Sequence, residues 1–563
     1  MILPKLQRKS PWRGVIQSLP GSRQVVLDLM VASLAINVLA LALPFTLMQV
    51  YDRIIPNSSL ASLGVLVSGC TVAVVLETLM RLSRSQIGNW MSTRFDHLSG
   101  CEAVEKILDT PLPVFERHGV GVHMERLNAF NTLRSVYGGQ IFQVLLDIPF
   151  ALFFIAVIGI LDWRLMATTI GILVIFLVCF ALFRYQFSKH RQSQVKTNDH
   201  RYNFLIEIFS GIHLVKSQAM EEQVLRRYER LQATAAESNM NVSIWSALPI
   251  HAGAFFSQLM MFALIAVGGG QVMEGSMTIG VLTAATLLGG RAMQPIQQAA
   301  GFWLRFSDAK IALEQVEKIA ALPSESASGT PVFPAEIRGS LRLSNVTFRY
   351  REDLSPLLEN LNLEVAPKSM VGIRCPGSRG ATTLAYLMMG ILKPSSGNVF
   401  IDEYNLAEWD HRQLHGRIEY LPQNGVLFSG TILDNISMFD HKLREAALDA
   451  AALFDLDDQV AVLPKGYETE VTSQSATNLP AGLVQSIALT RAFVVRPRII
   501  VFDKANVSLD QASDRMFIEF FLRLKERCTL ILFTDQPSLL EACHKTYLLQ
   551  DGQLVASVPG DSP

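Results

Sequence analysis

The hydrophobic positions of the chain are unevenly distributed, and the first half contains long apolar runs that soluble domains rarely carry. A membrane-spanning helix needs about 20 predominantly apolar residues. Six runs approach that length, and an even number of crossings returns the chain to the side on which it began. The predicted spans are residues 25–49, 60–81, 141–161, 164–186, 243–268 and 277–299.

Two long polar segments, residues 82–140 and 187–242, follow spans 2 and 4, whereas the other connections are short. Apolar positions recur within them at helical spacing, as in Asn203–Ala236, so we predict helical extensions of the spans rather than disordered loops. Basic residues such as Arg8 and Lys9 precede span 1. By the positive-inside rule, this end, both long segments and the C-terminal half lie in the cytoplasm.

Four ionisable residues fall inside the predicted spans, where a charge in hydrocarbon is costly and usually faces a cavity or a partner. Asp28 and Glu77 lie near span ends, so we expect them at a membrane interface. Asp147 and Arg291 lie further inside and are candidates for an interior position.

The pattern changes after a Ser/Pro-rich linker at Pro323–Ser326, where short β-like runs alternate with helical ones. This alternation predicts a soluble α/β domain. Half of the residues are hydrophobic and 18% are charged, which fits a membrane part joined to a soluble part. A net charge of −1 gives no support for nucleic-acid binding, and the six cysteines have no metal-ligand spacing. The β-like runs are Ser340–Tyr350, Ser369–Ile373, Arg498–Phe502 and Thr529–Phe533.

A phosphate-binding loop is predicted where one of these strands leads into a helix, at Gly372–Leu384. The pattern of such a loop is GxxxxGK[ST]. Gly380 and Thr382 match it, whereas Cys375 occupies the place of the first glycine and Ala381 that of the lysine. Further along, Pro497–Asp503 is an apolar strand that ends in an aspartate, the type of residue that helps to hold Mg²⁺ in P-loop proteins.

With Tyr420–Gln423 between these two segments and Thr529–Asp535 after them, the chain resembles the ATP-binding cassette (ABC) family across residues 340–555. The resemblance implies a P-loop NTPase-like ABC nucleotide-binding domain, preceded by a helical six-span ABC exporter domain. It also implies that Tyr350 stacks on adenine, that Gln423 is the glutamine of the Q-loop, and that Asp510 is the aspartate of the D-loop. Leu479–Leu483 stands where the family has its LSGGQ signature.

The membrane half resembles the bacterial type I secretion exporters, in particular those that export proteases and lipases. The segments that carry this resemblance are Val50–Pro56, Asp147–Pro149 and Gly290–Pro295. The predicted domains are a cytoplasmic N-terminal segment without a peptidase-like domain (1–24), a transmembrane domain (25–305), a linker (306–338) and a degenerate nucleotide-binding domain (339–560).

Several residues differ from the family at positions that contact phosphate. Ala381 removes the cation of the P-loop, and a charge-assisted hydrogen bond of that kind is worth about 1.5–3 kcal/mol. Lys504 replaces the glutamate that activates water, and Asp535 replaces the switch histidine. Pro480 replaces the signature serine and so removes a hydroxyl and an N–H group. We therefore expect an ABC-type ATPase fold in which hydrolysis is largely lost.

Part of the site is retained, so weak binding of ATP and Mg²⁺ is expected. Lys504 and Asp535 have opposite charges and follow neighbouring strands, which predicts an ion pair; alternatively, Lys504 or Arg379 supplies the missing positive charge to phosphate. The magnesium ligands would be Thr382, Gln423 and Asp503. The residues expected to contact nucleotide are Tyr350, Ser378, Arg379, Gly380, Ala381, Thr382, Thr383, Gln423 and Asp503.

Three functions are compatible with these features. The first is a degenerate subunit of a bacterial inner-membrane exporter of the type I protein or peptide secretion class. It would act as a homodimer, or as a heterodimer with an intact half-exporter, together with a periplasmic adaptor and an outer-membrane channel. The second is a non-transporting membrane scaffold or nucleotide sensor. The third is an active homodimeric exporter ATPase.

Overall fold

The computed structural model of the protein divides the chain into two compact units. The first comprises Met1–Lys106 and Val120–Ala321, and the second comprises Ile107–Gly119 and Leu322–Pro563. The described residues are 22–137, 140–325, 336–378, 380–409, 413–414, 416–472, 479–504, 518–519, 521–522, 524–525 and 527–557.

The described part of the first unit consists of helices joined by short turns, and its long helices confirm the predicted extensions of the spans. The polar segments after spans 2 and 4 continue as regular helix instead of forming loops. Because a helix satisfies all of its own backbone hydrogen bonds, it can cross a bilayer and extend into water without interruption. The helices are α1 Ser22–Leu39, α2 Ala42–Gln49, α3 Leu60–Leu108, α5 Val120–Tyr137, α6 Gln140–Leu161, α7 Trp163–Ser210, α8 Ile212–Ser217, α9 Glu221–Met273 and α10 Ile279–Ala320, and the short α4 Leu112–Glu116 belongs to the second unit.

In the part of the chain that the structure describes, five helical segments are long and apolar enough to cross a membrane: Leu27–Ile54, Leu60–Leu108, Gln143–Leu161, Trp163–Ser210 and Glu221–Met273. The sixth predicted span lies in α10, whose apolar run is interrupted by Arg291. Predicted span 1 is not a single α-helix, since α1 ends at Leu39 and the chain continues through α2 into a π-helical turn at Val50–Ile54.

The start of α10 is fixed by residues distant in sequence. The Asp52 carboxylate accepts hydrogen bonds from the Thr278 hydroxyl (2.7 Å) and the Gly280 amide (2.8 Å), and Thr278 is the N-cap residue of the helix. A β-carbon at Gly280 would lie 2.5 Å from the Asp52 carboxylate and from the Met48 carbonyl oxygen. The Val50–Pro56 segment therefore serves to attach the first crossing to the last.

Buried charges join the crossing helices. Asp147 on α6 was a candidate for an interior position, and it is buried. Arg84 on α3 donates to both of its carboxylate oxygens, at 2.7 and 3.0 Å. Arg84 also donates to the Ser33 hydroxyl on α1 at 3.0 Å. Glu77 is also buried among the helices, and it contacts Arg291 on α10; its position near a membrane interface stays a prediction. Asp28 is exposed.

The second unit has the predicted α/β organisation. A six-stranded sheet has the order β12-β11-β3-β10-β9-β6, in which all neighbours are parallel except β12 and β11. The central strands β9 and β10 are buried along their whole length, as expected for a parallel sheet covered on both faces. An antiparallel sheet has the order β2-β1-β4-β5, and β7 pairs with β8. The strands are β1 Leu341–Phe348, β2 Leu358–Val365, β3 Met370–Arg374, β4 Ser396–Ile401, β5 Tyr404–Asn405, β6 Ile418–Leu421, β7 Gly430–Thr431, β8 Glu470–Val471, β9 Ile499–Asp503, β10 Thr529–Phe533, β11 Lys545–Gln550 and β12 Gln553–Ser557.

The described helices of the second unit are short, and the longest, Ala481–Phe493, has 13 residues. They include α11 Ala381–Met388, α12 Ile432–Ile436, α13 Arg444–Leu453, α14 Leu456–Ala461, α15 Ala481–Phe493 and α16 Pro537–Ala542. Leu384, Leu387 and Met388 of α11 pack into a core that also contains Val501 and Ile531 of the central strands. This packing fixes the start of α11 against the carboxyl end of the sheet.

Candidate functional site

The predicted site residues gather at the carboxyl edge of the six-stranded sheet. Parallel pairing places Phe533 opposite both Ile373 and Asp503, so β3, β10 and β9 end side by side. Ligands of α/β proteins bind at this edge, where loops from several strands converge. The residues that follow these strands are therefore the ones expected to contact a ligand.

The loop after β3 has the backbone of a phosphate-binding loop but not the lysine of its motif. Gly377 and Gly380 have positive φ angles of 73° and 87°, which L side chains rarely adopt. α11 begins directly after Gly380, at Ala381, and the apolar side chain of Ala381 is only 1% exposed. The loop therefore directs a helix N-terminus towards the site without a cationic side chain at position 381.

Cys375, in the place of the first glycine, is also buried. Burial raises the pKa of its thiol to about 12, and the Asp535 and Asp503 carboxylates act in the same direction while Lys504 opposes them. A thiol with such a pKa is protonated at neutral pH and is a poor nucleophile. Cys375 therefore acts as a small apolar filler beside the charged residues.

Asp503, at the end of β9, lies at the centre of a hydrogen-bonded group. The Thr382 hydroxyl donates to its Oδ2 at 2.8 Å, and the Tyr420 hydroxyl donates to the same oxygen at 3.0 Å. The Tyr420 ring packs edge-to-face on Tyr386 of α11, with centroids 5.4 Å apart. Burial and the negative charge of Asp503 raise the pKa of Tyr420, so its hydroxyl keeps its proton and remains a donor.

The predicted ion pair between Lys504 and Asp535 is confirmed. The Lys504 ammonium lies 2.6 Å from Asp535 Oδ2, and the two side chains are 15% and 45% exposed. Lys504 has a left-handed backbone (φ 49°), and its amide donates to the Phe533 carbonyl at 3.1 Å. That backbone contact holds the end of β9 against the end of β10. The two charged side chains are neighbours because each follows the end of one of these adjacent strands.

The Tyr350 side chain lies beside the loop after β3, and contacts within the protein occupy part of the ring that was predicted to stack on adenine. Its hydroxyl is 3.0 Å from the Thr383 hydroxyl, and its ring packs edge-to-face on Phe348 at 4.9 Å. The side chain remains partly exposed. Adenine stacking on its open face stays a prediction.

Pro480 precedes α15 and provides no side-chain cap for the helix. An N-cap serine would offer a hydroxyl at this position, and proline has neither that hydroxyl nor an N–H donor. The helix is instead anchored to the loop after β6, because Gln485 donates to the Pro422 carbonyl at 3.1 Å and Arg491 donates to the Val426 carbonyl at 3.1 Å.

Some predicted site residues are not brought into the group. Gln423 is exposed, and among the described residues no hydrogen bond joins it to Thr382 or Asp503. Arg379, Asp510 and the side chain of Ser378 lie outside the part that the structure describes. Whether Arg379 supplies a cation to phosphate therefore stays a prediction.

Two residues of the site were not predicted to take part. Tyr420 belongs to the Tyr420–Gln423 run, but only its glutamine was assigned a role; Tyr386 carried no motif at all. The sequence carries no signal for this contact, because it depends on strand order: Tyr420 is the third residue of β6 and pairs with Val501 of β9, two residues before Asp503. A tyrosine so placed can reach the carboxylate at the end of the neighbouring strand.

The donor set suits a magnesium ion better than it suits a triphosphate. Magnesium is usually held through one or two carboxylates and through phosphate oxygens, and Asp503 with Thr382 offers oxygens of this kind 2.8 Å apart. For the terminal phosphate, position 381 carries no cation, and Lys504 has Asp535 as a counter-ion. Asp503 and Thr382 therefore fit a magnesium ion, whereas a terminal phosphate would find no lysine at position 381 and would meet the Asp535 carboxylate beside Lys504.

Comparisons with known families match both halves of the chain. Residues 26–294 match the ABC transporter transmembrane region. Residues 358–507 match the ABC transporter domain, a domain that in general binds ATP with magnesium.

Individual relatives cover nearly the whole chain. The alpha-hemolysin translocation ATP-binding protein HlyB of Escherichia coli O157:H7 is 25% identical over 542 residues, which is 95% of this chain and 76% of that protein. The leukotoxin translocation ATP-binding protein LktB of Bibersteinia trehalosi is 25% identical over 95% of this chain and 75% of its own length. The fold is shared with a bacterial Atm1-family ABC exporter solved with ATP bound, with a TM-score of 0.81, 20% identity and 94% of each chain covered.

Proposed function

The chain belongs to the ABC transporter family as an exporter half-transporter, and from this premise we propose that it is a degenerate subunit of a type I secretion exporter. Its own nucleotide site binds ATP weakly and has largely lost hydrolysis. The likeness to HlyB and LktB, which are named as toxin translocation proteins, supports a polypeptide as the exported substrate.

One observation carries the loss of hydrolysis: the 2.6 Å ion pair between Lys504 and Asp535. A general base must accept a proton from the attacking water within hydrogen-bond reach. The ammonium at position 504 has no lone pair to accept that proton. Its partner Asp535 places negative charge where a terminal phosphate would carry its own charge, so the ground state with ATP bound is disfavoured as well.

Weak rather than absent nucleotide binding is supported by what the site retains. The left-handed glycines shape the loop around a helix N-terminus, a feature that favours anions. Asp503 and Thr382 supply oxygen ligands for magnesium. The site lacks the binding free energy of the charge-assisted contact that a lysine at position 381 would make with phosphate.

ABC exporters act as dimers, and we propose that this chain pairs either with a second copy or with an intact half-exporter. A periplasmic adaptor and an outer-membrane channel would complete the export path. The bacterial relatives support the inner membrane as the location, with the ATP-binding domain in the cytoplasm. The proposed domain boundaries remain 1–24, 25–305, 306–338 and 339–560.

The proposal is tested by ATP hydrolysis of the purified full-length chain. We compare the wild type with Asp503→Asn, which removes the metal-binding carboxylate, and with the restored variant Ala381→Lys/Pro480→Ser/Lys504→Glu/Asp535→His. Wild type and Asp503→Asn should be equally inactive, and the restored variant should exceed both by about a hundredfold, the scale of one electrostatic stabiliser in a transition state. Hydrolysis by the wild type that Asp503→Asn abolishes would show an active ATPase and overturn the proposal.

Pairing is tested separately by isolating the tagged chain from its native membrane in mild detergent. An intact half-exporter in equal amount supports the subunit function. Recovery of the chain alone, without any partner of the secretion path, favours a non-transporting scaffold or nucleotide sensor instead.

A further inference from the structure

Among the described residues, two ionic groups join helices at or beside the predicted spans, and they differ in charge balance and exposure. In the Arg84–Asp147 pair, one guanidinium meets one carboxylate, and the side chains are only 9% and 11% exposed. The second group, which we call the Glu77 triad, consists of Glu77, Arg81 and Arg291. Here the two guanidiniums are 39% and 29% exposed, whereas the carboxylate is 10% exposed.

The geometry of the Glu77 triad leaves positive charge uncompensated. Arg81 donates to Glu77 Oε1 through Nε (2.9 Å) and Nη2 (2.6 Å), and Arg291 reaches the same oxygen at 3.3 Å. In the described part of the chain, neither arginine contacts another carboxylate. A guanidinium has five N–H donors, so most of the donors of Arg291 remain unused.

Position along the helices places the Glu77 triad in the cytoplasmic half of the crossing. At 1.5 Å per residue, Glu77 lies about 26 Å along α3 from Leu60, and Arg291 lies about 18 Å along α10 from Ile279, in a hydrocarbon layer about 30 Å thick. Charged residues at this depth almost always face the bundle interior or a water-filled cavity. We therefore expect the exposed parts of Arg81 and Arg291 to face the interior of the bundle or a water-filled cavity rather than lipid.

We propose that the Glu77 triad is a cargo-binding site that recognises carboxylates of an acidic peptide segment. This inference rests on the proposed export function. A planar guanidinium fork matches a carboxylate in two parallel hydrogen bonds, which a single 3.3 Å contact to Glu77 does not provide. An incoming carboxylate takes the unused donors of Arg291, and Glu77 competes with it for both arginines.

That competition predicts substitutions of opposite sign. Removing a guanidinium by Arg291→Gln or Arg81→Gln should weaken binding of an acidic peptide about tenfold, as expected for the loss of one charge-assisted contact. Removing the competitor by Glu77→Gln should tighten binding, because both arginines become free for the ligand. Arg291→Lys keeps the charge but loses the planar fork, so it should give an intermediate affinity.

The experiment uses the full chain in nanodiscs of zwitterionic lipid and two fluorescent peptides of equal length, one rich in glutamate and the other with glutamine in its place. The matched control is Arg226→Gln, which removes an arginine from an exposed ion pair with Glu222 elsewhere in the same unit. Binding of the acidic peptide should exceed that of the neutral one, should fall at high salt, and should be unchanged in the control variant.

Equal binding of the two peptides, no binding of either, or an effect of Arg291→Gln no larger than that of Arg226→Gln overturns the proposal. Retention of an anionic lipid that depends on Arg291, without peptide binding, also overturns it, since the ligand is then a lipid headgroup. The comparison of the two peptides needs no variant and no ATP. It therefore tests the proposal even if one of the substitutions prevents folding. A negative result leaves the ATPase comparison unaffected, so failure of the site and failure of the proposed function are distinguishable.

Discussion

Replacing Asp535 by asparagine should raise the affinity of the site for ATP, because it removes a carboxylate from the phosphate corner and releases the Lys504 ammonium. The ion pair itself costs little to break: Asp535 is 45% exposed, and pairs with such exposure contribute about 0–1 kcal/mol. A new charge-assisted hydrogen bond between Lys504 and a phosphate contributes about 1.5–3 kcal/mol. Because the wild type must break the pair before Lys504 can make this contact, Asp535→Asn removes a cost of about 0–1 kcal/mol. At 1.4 kcal/mol per factor of ten the affinity should rise up to about fivefold, and loss of the repulsion between the Asp535 carboxylate and phosphate adds to this rise.

The assay is a titration of a fluorescent ATP analogue into the detergent-purified chain, with and without magnesium. Lys504→Ala should leave affinity unchanged or lower it, because Asp535 then faces the phosphate without a counter-ion. As a matched control, Glu470→Gln removes a carboxylate from the exposed Lys465–Glu470 pair of the same unit and should change nothing. If Asp535→Asn leaves the affinity at the wild-type value, the carboxylate does not oppose phosphate, and the electrostatic account of the weak site is wrong.

Three further predictions concern other parts of the molecule. Maleimide at neutral pH should modify the exposed Cys101 and leave Cys375 unmodified by mass spectrometry, because a thiol with a pKa of about 12 forms thiolate only as the pH approaches that value. Ala381→Lys should raise ATP affinity about tenfold in the same titration, whereas Ala381→Met, of similar length and without charge, should not. Asp147→Asn should destabilise the chain by about 3–5 kcal/mol in thermal unfolding, because Arg84 is then buried without a counter-ion. A loss of stability no larger than that caused by breaking an exposed ion pair, such as Arg226–Glu222, would contradict this prediction.

Sequence reasoning was most successful where one periodic signal determines the structure. Helical spacing predicted that the polar segments continue the spans, and α3 and α7 do so. The Lys504–Asp535 pair was predictable because parallel strands end at one edge, so residues that follow β9 and β10 must be neighbours. In both cases the argument needed only local pattern and backbone geometry.

Contacts between distant helices were not predictable in this way. Arg84 lies beyond the predicted end of span 2, in the polar segment predicted to extend that helix, so the partner of Asp147 was missed. Glu77 was expected at an interface because sequence gives the distance from a span end but not the neighbouring helix. The hydrogen bond from Tyr420 to Asp503 depends on the order of strands in the sheet, which a short apolar run does not encode.

The proposed loss of function at this chain's own loop has a consequence for any dimer it forms. In ABC dimers, each composite site combines one chain's phosphate-binding loop with the signature segment of the other. Pro480 offers neither a hydroxyl nor an N–H, so a partner with an intact loop would still face a signature that lacks these two donors. Pairing with an intact half-exporter therefore does not by itself restore a full site. If the complex transports at all, its energy must come from a partner site that turns over without the signature serine.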